Sequence, residues 1–317
     1  MSYVQFDSVQ ASDFNTLAGG ATPAINTHNI TWATGSGSSG YGQTALANVS
    51  AGGTVTAAAQ WTTLVTDTSN AAIHQGTTIT SVTAPAAGAT ITYNSAIPTN
   101  LQTIYSNRLN ASIQGSSTSN TATFGSVWQN SLTFTFSATF ANGDAARYFF
   151  NSGGQIKMTC SHPAGTGINE LFNALSTEIG NVVLSAPTSG TATIVGSSYS
   201  GITRVGGTGN APSPYLTNNG YYALTSANAT VLSQTTTTGP SSYLASNISF
   251  LIKSNGTQGS NGDAGSVVTI YAVWDEVPDG LQATTGSATT MTLVYPETTY
   301  IANTWGAATL SGAVTGS

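Results

Sequence analysis

The chain reads as a mainly β protein: an antiparallel β-sandwich-like C-terminal domain with one embedded helix, preceded by a smaller mixed α/β N-terminal region. Three observations predict this. Only 5% of the 317 residues are Asp, Glu, Lys or Arg, against about 25% in ordinary globular domains, while 53 Thr and 39 Ser make 29% of the side chains hydroxyl-bearing. Hydrophobic residues make up 39% and aromatics 9%, with a net charge of only -6, which separates the chain from disordered sequences poor in aromatic and β-branched residues. Several segments alternate apolar with hydroxyl residues at the period of a strand, and Thr, Val, Ile, Tyr and Phe all pack well on a pleated surface.

By texture the chain divides at about residue 125 into an N-terminal region with short helices, 1–125, and a β-rich domain, 126–317. In the first part a helix starts near Thr56, with Trp61, Leu64, Val65, Thr68 and Ala72 at helical spacing, Thr56 as N-cap and Gly76 as stop. A second short helix is expected from Leu101 to Ala111, capped by Asn100, with Leu101, Ile104, Tyr105 and Leu109 inward. The polar run Gln114 to Asn120 then reads as a linker.

In the second part Leu132, Phe134, Phe136, Ala138 and Phe140 alternate with Thr133, Thr135, Ser137 and Thr139, the signature of a half-buried strand. Asn142-Gly143-Asp144 reads as a turn, and Arg147 to Phe150 with Gln155 to Ser161 as further strand material around a Gly153-Gly154 bend. Ile248, Phe250 and Ile252 alternate likewise, as does Val267 to Trp274, with Asn255 to Gly265 as a long hairpin loop between them. One helix interrupts the strands at Ile168 to Ile179, its stripe Ile168, Leu171, Phe172, Leu175 and Ile179 ending at Gly180, a C-cap glycine. The tail Gly306 to Ser317 is small and polar, either loose or added to a neighbour. No heptad or longer repeat indicates a coiled-coil shaft or a solenoid.

Composition excludes several partners. The five basic residues, Arg108, Arg147, Lys157, Arg204 and Lys253, are scattered singly, whereas nucleic-acid binding needs clustered cations. No apolar run approaches the roughly 20 residues of a membrane span, and Met1 to Gln10 lacks the features of a secretory signal. Cys160 is the one cysteine, so no intramolecular disulfide forms, and its alternation with Ile156 and Met158 makes it a buried structural thiol.

Chemical motifs are sparse. Gly35-Ser36-Gly37-Ser38-Ser39-Gly40 matches G-x-G-x-x-G in letters but lacks the strand, helix and acid that dinucleotide binding requires, and reads as a flexible surface loop. His28, His74 and His162 are far apart with no second ligand at metal-binding spacing, and His74 reads as a hydrogen-bonding residue at a helix end. A Ser-His-Asp hydrolase stays open on residue types alone, without a G-x-S-x-G elbow. Asp275, Glu276 and Asp279 form the densest acidic group; a glycosidase pair and a calcium site stay open, with an exposed strand end favoured. Asp263 reads as turn chemistry first. Six N-x-Ser/Thr sequons occur among 24 Asn, no more than this composition produces by chance. No catalytic residue, metal site or cofactor is assigned.

Two stretches carry a resemblance. His28 to Gly76 contains Ile30-Thr31-Trp32, Gly40-Tyr41-Gly42-Gln43, Val49-Ser50-Ala51-Gly52, Gln60-Trp61 and His74-Gln75-Gly76-Thr77; the other runs Phe140-Ala141-Asn142-Gly143-Asp144-Ala145-Ala146-Arg147-Tyr148-Phe149-Phe150-Asn151-Ser152-Gly153-Gly154. Both resemble segments of structural proteins of tailed bacteriophages, those of the neck or collar, tail and fibre. The resemblance implies a non-enzymatic virion protein, assembled in the bacterial host cytoplasm as a ring or trimer of copies of itself with other virion proteins. Trp32, Tyr41, Trp61, Tyr221, Tyr222 and Tyr243 are the candidate interface residues, with core packing the default for any one of them. The alternatives are a receptor- or carbohydrate-binding adhesin module that meets a host surface glycan, and a polysaccharide-cleaving tail enzyme built on Asp275 and Glu276.

Overall fold

In the computed structural model, residues 10–19, 27–33, 35, 37–50, 56–86, 88–89, 94–209, 220–235, 245–258, 264–277 and 281–316 are described. Tyr243, Asp263 and Asp279 lie outside them. The fold is mainly β, with twelve strands and six α-helices among the described residues, and every strand pairing is antiparallel.

The N-terminal helices are α1 (Ala11–Ala18), α2 (His28–Trp32), α3 (Thr56–Gln75) and α4 (Ala96–Ser106). The predicted period holds in α3, where Trp61, Leu64, Thr68 and Ala72 are buried and the Phe14 ring meets Trp61 edge-on at 5.3 Å. Thr56 is the first residue of α3, and Gly76, at φ 67°, ends it. The second helix begins at Ala96, four residues before the expected cap, and Asn100 inside it has a different task. Its amide donates to the Thr80 carbonyl (2.8 Å) and accepts the Thr80 amide (3.0 Å).

That two-way bond is a recurring device. Asn15 grips Val49 in the same way (3.0 and 2.8 Å), Asn29 grips Leu46 (3.0 and 2.8 Å), and Gln43 grips Ala302 (2.8 and 3.0 Å). A carboxamide offers a donor and an acceptor at the spacing of a peptide group, so each clamp satisfies the backbone of a residue that lies outside the helices and strands.

The β-rich part contains β1 (Gln114–Thr123), β2 (Ser131–Thr139), α5 (Gly143–Asn151), β3 (Gln155–Ser161), α6 (Ile168–Ile179), β4 (Asn181–Leu184), β5 (Ala192–Ile194), β6 (Ser197–Tyr199), β7 (Ile202–Val205), β8 (Ala229–Thr235), β9 (Asn247–Ser254), β10 (Val267–Asp275), β11 (Ala288–Pro296) and β12 (Thr309–Gly316). One five-stranded sheet has the order β1-β11-β3-β4-β7 and the other β12-β2-β10-β9-β8, while β5 and β6 form a separate hairpin. The sheets face each other strand by strand. Gly312 of β12 lies against Asn120 of β1, Cys160 of β3 lies beside Trp274 of β10, and Arg204 of β7 reaches Gln234 of β8 (3.4 Å).

Alternation in the sequence sets which face goes inward. In β2 and β10, Leu132, Phe134, Phe136, Ala138, Val268, Ile270, Ala272 and Trp274 are all buried, and the register places Phe136 opposite Ile270 and Ile270 opposite Ile252. Each of the larger side chains among them, buried fully, contributes about 2 kcal/mol. The outward faces carry paired hydroxyls: Ser119 with Thr292 (2.8 Å), Thr121 with Thr290 (2.8 Å), Ser137 with Thr269 (3.2 Å) and Ser233 with Ser249 (2.9 Å). Such cross-strand pairs stabilise a sheet without charge.

The helix Ile168–Ile179 lies where expected, and Gly180 follows at φ 65° and ψ -129°, a glycine conformation though not the left-handed cap. Phe172 stacks on Trp274 (5.6 Å) and lies 4.9 Å from Trp128, so α6 joins the core between the sheets. It is not alone there. Arg147 to Phe150, read as strand material, belongs to α5: Asn142 Oδ1 accepts the Ala145 amide at 2.8 Å and starts a helix instead of a turn.

Two further expectations change. The supposed linker is strand β1, paired along its length with β11; only Ala122 of it is buried, so the sequence carries no apolar alternation there. The polar tail adds to its own chain, as β12 on the edge beside β2. Because β1 precedes residue 125 yet belongs to a sheet of later strands, and one apolar cluster runs from Phe14 to Trp305, the packing is continuous across that position.

Candidate functional site

The Gly-Ser loop is the centre of the most elaborate polar arrangement. Gly37, Ser39 and Gly40 are buried, with Gly37 at φ 54° and Gly40 at φ 84°. From α5, Arg147 Nη1 donates to the carbonyls of Ser39 (2.7 Å) and Gly37 (3.5 Å), and Asn151 Nδ2 to those of Gly40 (2.9 Å), Gly37 (3.2 Å) and Ser39 (3.3 Å). The Tyr222 hydroxyl lies 2.8 Å from the Gly37 carbonyl and 2.6 Å from Asn151 Oδ1. Arg147 is 1% exposed; its Nη2 meets Asp144 Oδ1 at 3.1 Å and its guanidinium lies over the Tyr148 ring. A buried cation persists only when so bonded. The flexible-surface-loop reading is therefore corrected: backbone carbonyls without strand partners are held by Arg147 and Asn151.

On the other side of the loop, Arg108 donates from Nε to the Ser38 carbonyl (2.8 Å), from Nη2 to Ser38 Oγ (2.9 Å) and from Nη1 to the Tyr105 carbonyl (3.0 Å). Ser38, Arg108, Pro187, Thr188, Ser189 and Tyr222 border a polar cavity of about 380 Å³. A second, more apolar groove of about 210 Å³ lies among Leu64, Thr68, Ile79, Val82 and Ile97.

Four of the candidate interface residues are spent inside the chain: Trp32, Tyr41, Trp61 and Tyr221 are buried. The Tyr41 hydroxyl donates to the Arg108 carbonyl (2.8 Å) and accepts from Gln75 Nε2 (2.7 Å); burial holds the phenol far above its ordinary range. Tyr221 stacks on Phe150 at 4.1 Å. Tyr222 is half-buried and serves the loop clamp.

The histidines sit in three separate polar networks. His28 bridges Asn29 (3.0 Å) and Asp67 (3.1 Å). His74, fully buried in the last turn of α3, donates from Nδ1 to Glu297 Oε1 at 3.0 Å, rather than to the helix carbonyls. Burial would raise the Glu297 carboxyl, but the bonds from His74 and from the Thr299 and Tyr300 amides hold it below the ordinary range. His162 Nδ1 lies 2.9 Å from Ser287 Oγ and its Nε2 3.0 Å from Asn169 Oδ1; burial lowers its pKa. This is a serine and histidine brought together, yet Ser287 is 0% exposed and its Oγ also accepts the Trp128 indole N–H (2.9 Å). Such a hydroxyl has no path to a substrate.

The Cys160 residue is half-buried, with Sγ 3.7 Å from Thr289 Oγ1, and burial pushes its thiol up to about 12, where it stays protonated. Asp275 is exposed at the end of β10, whereas Glu276 is 5% exposed, so the exposed-strand-end reading holds for the first and is corrected for the second. The two carboxylates thus differ in environment, Asp275 in solvent and Glu276 enclosed just past the end of β10. Among the described residues no group of three His, Cys, Asp or Glu is placed to hold a metal ion, and no helix is long and apolar enough to cross a membrane.

Arg108, Arg147 and Asn151 are the site residues that sequence reasoning passed over. The available signal was scarcity: in a chain with five basic residues, each one has a particular place. No family model, no curated protein and no solved structure matches the chain.

Proposed function

We propose that the chain is a non-enzymatic structural component of a tailed phage virion, in its collar or neck, tail or fibre, assembling as a homo-oligomer with other virion proteins. The observation that supports this beyond the sequence resemblance is the state of the five basic residues. Arg147 is buried, and Arg108, Lys157, Arg204 and Lys253 are half-buried. Lys157 lies in β3 and Lys253 in β9 with its ammonium over the Tyr271 ring, while Arg204 donates to the Gly209 carbonyl (2.7 Å). A particle protein outside the cell must resist proteolysis, and cleavage needs a locally unfolded segment. Here every basic site is bound into the fold, and neutral hydroxyl ladders face outward, where salt has little to screen.

A second reading, a receptor- or carbohydrate-binding module, is favoured by the polar cavity beside Arg108. Quantitative mass spectrometry of tailed particles purified from the source culture, combined with sedimentation of the isolated chain, tests the first. A fixed copy number per particle and a closed ring or trimer are expected; absence from purified particles overturns it.

A further inference from the structure

We infer that the cavity beside Arg108 binds a small hydroxylated carboxylate, the chemistry of an acidic sugar. Three ion pairs are formed among the described residues, His28 with Asp67, His74 with Glu297 and Arg147 with Asp144, and Arg108 belongs to none. Its acceptors are all neutral: the Ser38 and Tyr105 carbonyls and Ser38 Oγ. Those bonds use three of the five guanidinium N–H groups. One N–H on each terminal nitrogen remains, and a carboxylate takes such a pair with its two oxygens.

The guanidinium is already held in place, stacked 4.4 Å over the Tyr105 ring and tied at three points. Its ordering is complete before any ligand arrives, which lowers the cost of binding. Around it, Ser38, Thr188 and Ser189 supply hydroxyls, and Pro187 and Tyr222 supply an apolar wall for the C–H face of a ring. The volume of about 380 Å³ suits a ring-sized molecule rather than a lone ion. A single cation at the site matches a single negative charge, and a phosphate dianion would be left half-compensated.

The inference needs only this cavity and stands apart from any place in a virion. Isothermal titration of the full chain with glucuronate, glucose and inorganic phosphate tests it. Glucuronate should bind saturably, at least about tenfold more tightly than either comparison ligand, the equivalent of one charge-assisted bond pair. Arg108→Gln should abolish binding. Because Arg108 also ties down Ser38, Ser189→Trp provides a second variant that fills the cavity from the exposed side while those bonds stay intact, and it should abolish binding with an unchanged melting temperature. No saturable glucuronate binding, equal affinity for glucose or phosphate, or undiminished binding by Ser189→Trp would overturn the assignment.

Discussion

His74 and Glu297 stand 223 residues apart in sequence and 3.0 Å apart in space, both almost fully buried. The pair joins the last turn of α3 to the segment that follows β11, so it fastens the helical region to the sandwich. Glu297 also accepts from the Thr299 and Tyr300 amides. Since its folded pKa is depressed, its contribution is present above the ordinary carboxylate pKa and is lost as pH falls through the lower folded value. Replacing Glu297 by Ala should cost about 3 kcal/mol and flatten the acid limb of a melting-temperature profile below pH 4.5.

A second limb should appear nearer neutrality. Burial lowers the pKa of His162, so below its ordinary value of 6.5 the unfolded chain takes up a proton that the folded chain refuses. Stability is therefore complete above pH 6.5 and declines as pH falls toward the folded value. In His162→Gln the melting temperature should be lower at neutral pH but lose this dependence. An unchanged slope between wild type and variant would show that another group titrates there.

The carboxamide clamps predict a sharp chemical selectivity. Gln43→Glu keeps size and shape, but a carboxylate cannot donate to the Ala302 and Tyr41 carbonyls that Gln43 Nε2 now serves at 2.8 and 3.2 Å. The loss should be about 3 kcal/mol, read from denaturant unfolding. An exposed amide such as Gln102, bonded only within its own helix, should tolerate the same change.

Removal of the tail tests the edge assignment. Ending the chain at Ala308 strips β12 from β2 and leaves the backbone of an otherwise central strand unpaired. Open edges recruit other chains. The truncated protein should aggregate on light scattering at concentrations where the full chain is clear.

Proteolysis tests the placement of the basic residues. Folded chain should survive trypsin at doses that fragment the denatured chain within minutes, because Arg108, Arg147, Lys157, Arg204 and Lys253 are all tied into the fold. Early cleavage of native protein at any of these five positions, mapped by mass spectrometry, would contradict their packing.

Legibility in the sequence followed burial. Where one face of an element is apolar, as in β2, β9, β10 and α6, period alone located it within a residue or two. Strand β1 carries no such pattern because it is held by backbone pairing and the Ser119 and Thr121 hydroxyls. In α5 the aromatic run Tyr148-Phe149-Phe150 favoured a strand by propensity, and the Asn142 cap together with tertiary burial of Ala145, Ala146, Phe149 and Phe150 outweighed it. The candidate site was hidden for another reason. Arg108, Arg147 and Asn151 meet the 37–40 loop across 70 to 114 residues, and no local spacing records a contact of that length.

The virion reading is tested most directly by immunogold electron microscopy of tailed particles from the source culture, with antibody raised to the recombinant chain. The account predicts gold at one fixed place on the particle, at collar, tail or fibre. Particles that carry no label, with the antigen found only in the unassembled fraction, would contradict it.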